Sequence, residues 1–577
     1  MHGDVPTRAL RSISLGILLL AAPVAAQPPA AGDWQLPGRD YGMTRFSPLD
    51  EINRENVGGL KPVWTFSTGL LRAHEGNPLV VGNLLFVHTP FPNRVYALDL
   101  AEPGAPIRWS YAVPAATARL RVPEGCCDVG SRGLAYHPSG ILIAPLFHGE
   151  VVGLEATTGR EVWRVQNVDR AEGGSLSGAP LVVGELVIVG SGGAEYGVRG
   201  TITAYEAATG KLAWRAFSTG PDAEVLIDGD ANLNYSSHRG RNLGVTTWPA
   251  DGWRHGGGTV SGWITHDPEL GLIYHGTDPA APGDGTARPG DNKWTSTLFA
   301  RSAATGKVRW ALQLTPHDEW GYGAANENIL VDLSIGGDSI KALVHFDANG
   351  FAYTIDRTTG KLILAERIGP ANWATRIDRP SAVPVRDPKY ATGTTRVNGI
   401  CPAAAGMKGL GPAAYSPVTN WFYVPLNNLC MSLQTTGATY EAGKPFRGVT
   451  IRMAAGPGEI RGRFVAYDAT TGAIAWQNQE PLAVTGGALA TAGGLVFYGT
   501  MDGWLKAVDA TNGRELWRFK TPSGIVGSPI TFSGPHGQQF VAVLSGLGGW
   551  LGQGGNGAFP DLDRQVTQGG VLTVFGR

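Results

Sequence analysis

The 577-residue chain sets 47 Lys and Arg against 48 Asp and Glu, a formal charge of −1, and has no basic run able to neutralise a line of phosphates. Nucleic acid is therefore excluded as a partner. With 83 Gly, 39 Pro, 17 Trp and only 16% charged residues, the composition describes turns and aromatic anchors among many short strands and excludes a fold dominated by long helices.

Residues 1–26 read as an export signal. Arg8 and Arg11 precede the apolar stretch from Ile13 to Ala22, and Val24-Ala25-Ala26 offers a small-residue cleavage site, so the mature chain is expected to start near Gln27 in the periplasm. The apolar run is too short to cross a hydrocarbon core of about 30 Å, and no later segment is long and apolar enough to span a membrane.

From residue 60 onward one pattern recurs. A short apolar strand leads to a turn ending in Thr-Gly or a relative, then two or three residues, then Trp. Trp64 is an early, weaker member, followed by Trp109, Trp163 (Glu155-Ala-Thr-Thr-Gly-Arg-Glu-Val-Trp), Trp214 (Glu206-Ala-Ala-Thr-Gly-Lys-Leu-Ala-Trp) and Trp310. In Asp356-Arg-Thr-Thr-Gly-Lys-Leu-Ile-Leu-Ala365 the tryptophan is replaced by Ala, and Trp476 and Trp517 complete a set of eight. The unit is roughly fifty residues, and two doubled gaps, after Trp214 and after Ala365, hold insertions. The glycine supplies the positive φ of a tight turn and the tryptophan wedges against the next unit. The expectation is an all-β, eight-bladed β-propeller over residues 27–577 as one domain, its last strand, Gly570-Val-Leu-Thr-Val-Phe575, pairing with residues around Gln35 to Ser47 to close the ring.

Four cysteines allow three pairings. In an oxidising compartment the adjacent Cys126 and Cys127 can bridge only through a strained eight-membered ring. Cys126–Cys127 with Cys401–Cys430 is the favoured connectivity, and cross-pairing of Cys126 and Cys127 to Cys401 and Cys430 stays open on the residues alone.

Glu124-Gly-Cys-Cys-Asp-Val-Gly-Ser-Arg-Gly-Leu-Ala-Tyr136 resembles the segment of the methanol/ethanol dehydrogenase family that lays a vicinal disulfide against one face of pyrroloquinoline quinone (PQQ). His74-Glu-Gly-Asn-Pro78, Gly192-Gly-Ala-Glu-Tyr-Gly-Val-Arg-Gly200, Arg288-Pro-Gly-Asp-Asn-Lys-Trp294, Thr315-Pro-His-Asp-Glu-Trp320 and Gly499-Thr-Met-Asp-Gly-Trp504 are similar to family signatures in the same order. The resemblance implies a PQQ-dependent oxidoreductase that takes a hydride from an alcohol or a related hydroxylated or aldehyde substrate. It implies Glu75, Cys126, Cys127, Arg132, Ser175, Ser177, Glu195 and Thr259 as cofactor-binding residues. Arg132 suits a carboxylate because its guanidinium fork binds bidentately. Glu195 and Asp278 are the implied metal ligands, both hard oxygens suited to Ca²⁺.

Departures from the family cluster on one face. Gly321 stands where the family has its Asp base, and Gly323 where lanthanide-using members have a second Asp, which favours Ca²⁺ over a lanthanide. Ser261 replaces the stacking Trp, Ala348 the basic residue beside the reactive carbonyl, and Gly409, Leu410 and Thr485 further polar or aromatic contacts. The catalytic base is thus unassigned, with Asp318 a weak candidate beside Glu319 and Glu327. The alternative is a catalytically inactive propeller that retains a ligand-binding shell. No Cys-X-X-Cys-His occurs, so electrons would pass to a separate acceptor, a soluble cytochrome c.

Overall fold

The structure is a computed structural model that describes residues 1–3, 31–118 and 128–577. The signal segment after its first residues, and both Cys126 and Cys127, lie outside the described residues.

Strands dominate, and no described helix exceeds four residues. None is long and apolar enough to cross a membrane. Among the described residues there are seven four-stranded sheets and one five-stranded sheet, antiparallel throughout except for one parallel edge pair in the five-stranded sheet. Leu181–Val183, Leu186–Gly190, Thr201–Glu206 and Leu212–Phe217 make one of them. The first strands of successive sheets lie side by side, with Ala135–His137, Leu181–Val183, Ile264–Asp267 and Asn328–Ile335 in contact in turn. Burial follows from that order. Ile264–Asp267 and Leu272–Gly276 are buried throughout, whereas Leu212–Phe217 at an outer edge alternates between buried and exposed.

The recurring tryptophans stitch the sheets together. The indole Nε1 of Trp109 donates to Ala156 O at 3.0 Å, Trp163 to Ala207 O at 2.9 Å, Trp214 to Ala303 O at 3.0 Å, Trp310 to Arg357 O at 2.8 Å and Trp476 to Ala510 O at 3.0 Å. Each acceptor belongs to the turn of the following repeat. The glycine of that turn lies under the ring: a Cβ on Gly210 would come 2.7 Å from Trp163, and one on Gly360 2.7 Å from Trp310. The Thr-Gly turn is thus both the hairpin's positive-φ corner and the seat of the previous repeat's indole.

Ring closure differs from the expectation. Val571–Gly576 pairs antiparallel with Lys61–Ser67, Trp64 facing Val574, and Trp517 donates to Leu60 O at 3.2 Å. Phe46–Ser47 instead pairs in parallel with Ala490 and Thr491. Lys61–Ser67 alternates in exposure and carries the Trp64 of the repeat, so it is the outer strand that the last sheet lacks. The earlier segment is held by Arg45, fully buried, which donates to Ala488 O at 2.7 Å and Pro529 O at 2.6 Å.

The doubled gaps contain insertions. The second holds a small two-stranded sheet, Ala374–Asp378 with Val383–Arg386, and a three-stranded sheet of Val397–Ile400, Leu429–Thr435 and Val449–Ala455. Cys401 and Cys430 are joined there by a disulfide, which makes both unavailable to Cys126 and Cys127.

Candidate active site

One cavity of about 400 Å³ opens where the segments leading into the innermost strands converge. Glu75 precedes Leu79–Val81, Arg132 precedes Ala135–His137, and Ser175 and Ser177 precede Leu181–Val183. Thr259 and Ser261 come before Ile264–Asp267, and Gly321 and Gly323 before Asn328–Ile335. On the far wall, residues 409–411 precede Ala414–Ser416 and Thr485 precedes Ala488–Thr491. Repetition of one sheet motif therefore delivers polar side chains from distant stretches of sequence to one place.

Two polar groups organise the wall. Arg132 donates from Nη1 to Ser177 Oγ at 2.9 Å and to Ser261 O at 3.2 Å, and its Nη2 lies 2.9 Å from Glu75 Oε2. Burial pushes the Glu75 carboxyl up, the Arg132 charge opposes this, and Asp128 adds to it. Asp278 accepts from Thr259 Oγ1 at 2.6 Å and Ser261 Oγ at 3.0 Å. Burial raises the Asp278 carboxyl to about 6 against those two hydroxyls, Glu195 adds to the rise, and Arg132 opposes it. Glu195 is carried on the single turn Ala194–Tyr196, which Gly193 enters at φ +106°.

The residues expected to bind cofactor and metal, so far as they are described, all line this cavity: Glu75, Arg132, Ser175, Ser177, Glu195, Thr259 and Asp278. So do the departures Ser261, Gly321, Gly323, Ala348, Gly409, Leu410 and Thr485. The three candidate bases do not line it. Asp318 Oδ1 accepts from the backbone N–H of Trp320 at 2.9 Å and of Gly321 at 3.1 Å, which makes it a turn-forming group. Glu319 lies 3.3 Å from His317, and Glu327 pairs with Lys408 at 3.0 Å while accepting from Ala413 N at 2.8 Å.

Sequence reasoning missed Lys408, Asn427 and the wall formed by Phe446, Val449, Ile451, Trp550 and Leu551. Lys408 is fully buried and donates to Gly409 O at 2.9 Å and to Gly411 O. No local motif marks these residues, since their nearness depends on the second insertion and the segment before the last strand folding over the same opening.

The donor set fits an anionic, polycarboxylated cofactor, because a buried guanidinium and hydroxyls edge a cavity otherwise lined largely by small and apolar residues. Of the four carboxylates that line the cavity, Glu75 is engaged by Arg132 and Asp128 by Arg72, while Glu195 and Asp278 are the two expected to face a metal ion; among the described residues no group of three or more His, Cys, Asp or Glu is placed to hold one. A hard cation takes roughly six to eight oxygens, so these two suffice only with oxygens brought by a bound ligand. At Gly323 the backbone leaves no room for a third: an added Cβ would lie 2.7 Å from Pro279 Cδ.

The family model described as PQQ: Glucose/ethanol/alcohol dehydrogenase, beta-propeller domain, matches residues 34–372 and 462–541. A lanthanide-dependent methanol dehydrogenase of Methylacidiphilum fumariolicum is 47% identical, covering 90% of this chain and 86% of the relative. Methanol dehydrogenase (cytochrome c) subunit 1 of Paracoccus denitrificans is 41% identical over 100% of this chain and 96% of its own. A solved europium-containing methanol dehydrogenase superposes with a TM-score of 0.92 at 44% identity, over 95% of this chain and 98% of that one. The chain belongs to the PQQ-dependent glucose/ethanol/alcohol dehydrogenase β-propeller family.

Proposed function

We propose that this chain is an exported PQQ-dependent oxidoreductase that oxidises an alcohol or a related hydroxylated or aldehyde substrate and passes the electrons to a separate acceptor. The observation that carries the reading is the gathering of Glu75, Arg132, Ser175, Ser177, Glu195, Thr259 and Asp278 around one cavity. The name of the Paracoccus relative supports a cytochrome c as acceptor. The eight sheets of four or five strands are read as eight blades of one ring spanning residues 27–577, with residues 1–26 removed on export.

In this reading Arg132 grips a cofactor carboxylate, Glu75 and Ser177 hold the guanidinium in place, and Ser175 and Thr259 offer further hydroxyls. Glu195 and Asp278 bind the cation. Bound there, PQQ supplies the hydride acceptor, which no side chain can. The preference for Ca²⁺ over a lanthanide, which rested on Gly323, is withdrawn, because relatives at 47% and 44% identity are named for a lanthanide and for europium. A lanthanide is the first ion to test. The alternative of an inactive shell has no support in the relatives, which are dehydrogenases.

The test is dye reduction by protein reconstituted with PQQ and La³⁺ or Ca²⁺, across a panel of primary and secondary alcohols. Turnover that needs both additions and is lost in Glu195→Ala supports the reading. Absence of turnover with every alcohol and ion rejects it.

A further inference from the structure

The cavity has an apolar wall that the polar groups do not use. In Val449–Ala455 apolar and polar residues alternate through Met453, and burial alternates with them: Val449, Ile451 and Met453 turn to one face while Thr450, Arg452 and Ala454 are exposed on the other. Val449 and Ile451 line the cavity together with Ala404, Ala405, Trp550 and Leu551. All six belong to one apolar cluster, in which Leu551 is buried and the other five are only half-buried. Those five therefore keep carbon surface exposed where they line the cavity.

This wall is rigidly held and continuous with the polar one. Val449–Ala455 is paired along its whole length with Leu429–Thr435. Asn556 Nδ2 donates to Ile451 O at 3.3 Å, and its Oδ1 accepts from Trp550 Nε1 at 3.3 Å, which occupies the polar end of the indole and leaves its carbons free. The two walls meet at three places. Phe446 N donates to Glu195 O at 2.7 Å, a Cβ on Gly549 would come 2.9 Å from Glu75 Oε1, and one on Gly321 would come 3.4 Å from Ala404 Cβ. A molecule held at the polar end and extending from it therefore runs along carbon surface.

The chemistry of that surface selects what covers it. Methanol at the polar groups would leave the wall facing water, and a polyol would set hydroxyls against carbon with nothing to replace their hydrogen bonds to water. A hydrocarbon chain gains, because apolar surface on both partners leaves water. Arg447 also lines the cavity, but it is exposed to solvent, where its guanidinium stays hydrated.

We propose that Val449 and Ile451 are specificity-determining residues that hold the carbon chain of the alcohol, so that apolar primary alcohols of butanol length and above are preferred to methanol and to polyols. This rests on the oxidoreductase reading above and gives its alcohol a class. Oxidation breaks the carbinol C–H and O–H bonds, the hydride going to the quinone and the proton to solvent, and leaves an aldehyde whose chain is unchanged.

The test follows binding as the chain grows. Methanol, 1-butanol, 1-hexanol and 6-hydroxyhexanoate are titrated by saturation-transfer NMR against the wild-type protein, with and without PQQ and La³⁺, and the quinone absorbance is recorded. 1-Hexanol is expected to bind about tenfold more tightly than 1-butanol, the worth of two buried methylenes, and methanol more weakly than either. That gain is expected to fall to about threefold or less in Ile451→Asn, and to fall also in the near-isosteric Val449→Thr, which guards against a misfolded Asn variant. Thr450→Val, on the outward face, is expected to keep it. Equal affinities for butanol and hexanol, or a gain unchanged in both cavity variants, overturn the inference. Tighter binding of 6-hydroxyhexanoate than of 1-hexanol assigns the ligand to Arg447 and overturns it, and so does a gain that vanishes once the quinone binds, which gives the wall to the cofactor. An unaltered quinone spectrum counts against the oxidoreductase reading alone, since the alcohol series is also read without cofactor.

Discussion

A Cβ added at Gly321 meets only Ala404, at 3.4 Å, an ordinary van der Waals contact, so a carboxylate could stand at the cavity there. The backbone is left-handed, with φ +86°, a region that Asp tolerates better than most side chains. Gly321→Asp is therefore expected to raise the rate of dye-linked alcohol oxidation by about 10²- to 10⁴-fold, the usual worth of a general base. An unchanged rate in a folded variant would show that the base stands elsewhere. Arg132 supports a different prediction. It is 4% exposed beside Glu75 at 13%, and Arg132→Ala would leave that carboxylate buried without its cation. A loss of about 3–5 kcal/mol in urea unfolding is expected, together with a PQQ affinity too weak to saturate. The residues of this wall were legible because short motifs surround them. Lys408 and Asn427 were not, since Glu327 meets Lys408 from 81 residues away and Gly406 meets Asn427 from 21, partners that no local motif announces.

The repeat of strand, Thr-Gly turn and tryptophan states its own packing rule: the turn glycine of one unit must be bare because the indole of the previous unit lies on it. Gly210→Ala would place a methyl 2.7 Å from the Trp163 ring at φ +72° and is expected to cost about 1–3 kcal/mol by denaturant melt. Tolerance of the methyl without loss would contradict the docking account. Gly472 shows the rule from the other side. The preceding repeat ends in Ala365, and the glycine faces Glu366 and Leu364 instead of an indole. This periodicity made the strands, the turns and the places of both insertions readable in advance. The closing pair was misread because it joins chain ends, where no hairpin fixes the register. The choice between Lys61–Ser67 and the earlier segment was made by the outer edge that the last sheet left open.

At the scale of the whole molecule, two buried histidines must stay neutral for their partners to be satisfied. His238 Nε2 accepts from Gln313 N at 3.0 Å and His275 Nε2 from Arg301 Nε at 3.0 Å, and burial lowers both imidazoles to about 3. The unfolded chain protonates its histidines near pH 6.5, so their contribution is complete above that value and is lost as pH falls toward 3. The midpoint of thermal unfolding is expected to drop steadily below pH 6, and a flat profile from pH 7 to pH 4 would contradict this. Reduction of Cys401–Cys430, separated by 29 residues, should remove roughly 3–4 kcal/mol.

The ring of sheets exists, in this account, to bring one guanidinium, three hydroxyls and three carboxylates around a flat anionic quinone. Titration of the purified protein with PQQ and La³⁺ under visible absorbance tests that most directly. A saturable spectral change at one quinone per chain, weakened at least about tenfold by Arg132→Ala, is the predicted result. A quinone spectrum indistinguishable from that of free PQQ at every protein and ion concentration would contradict it.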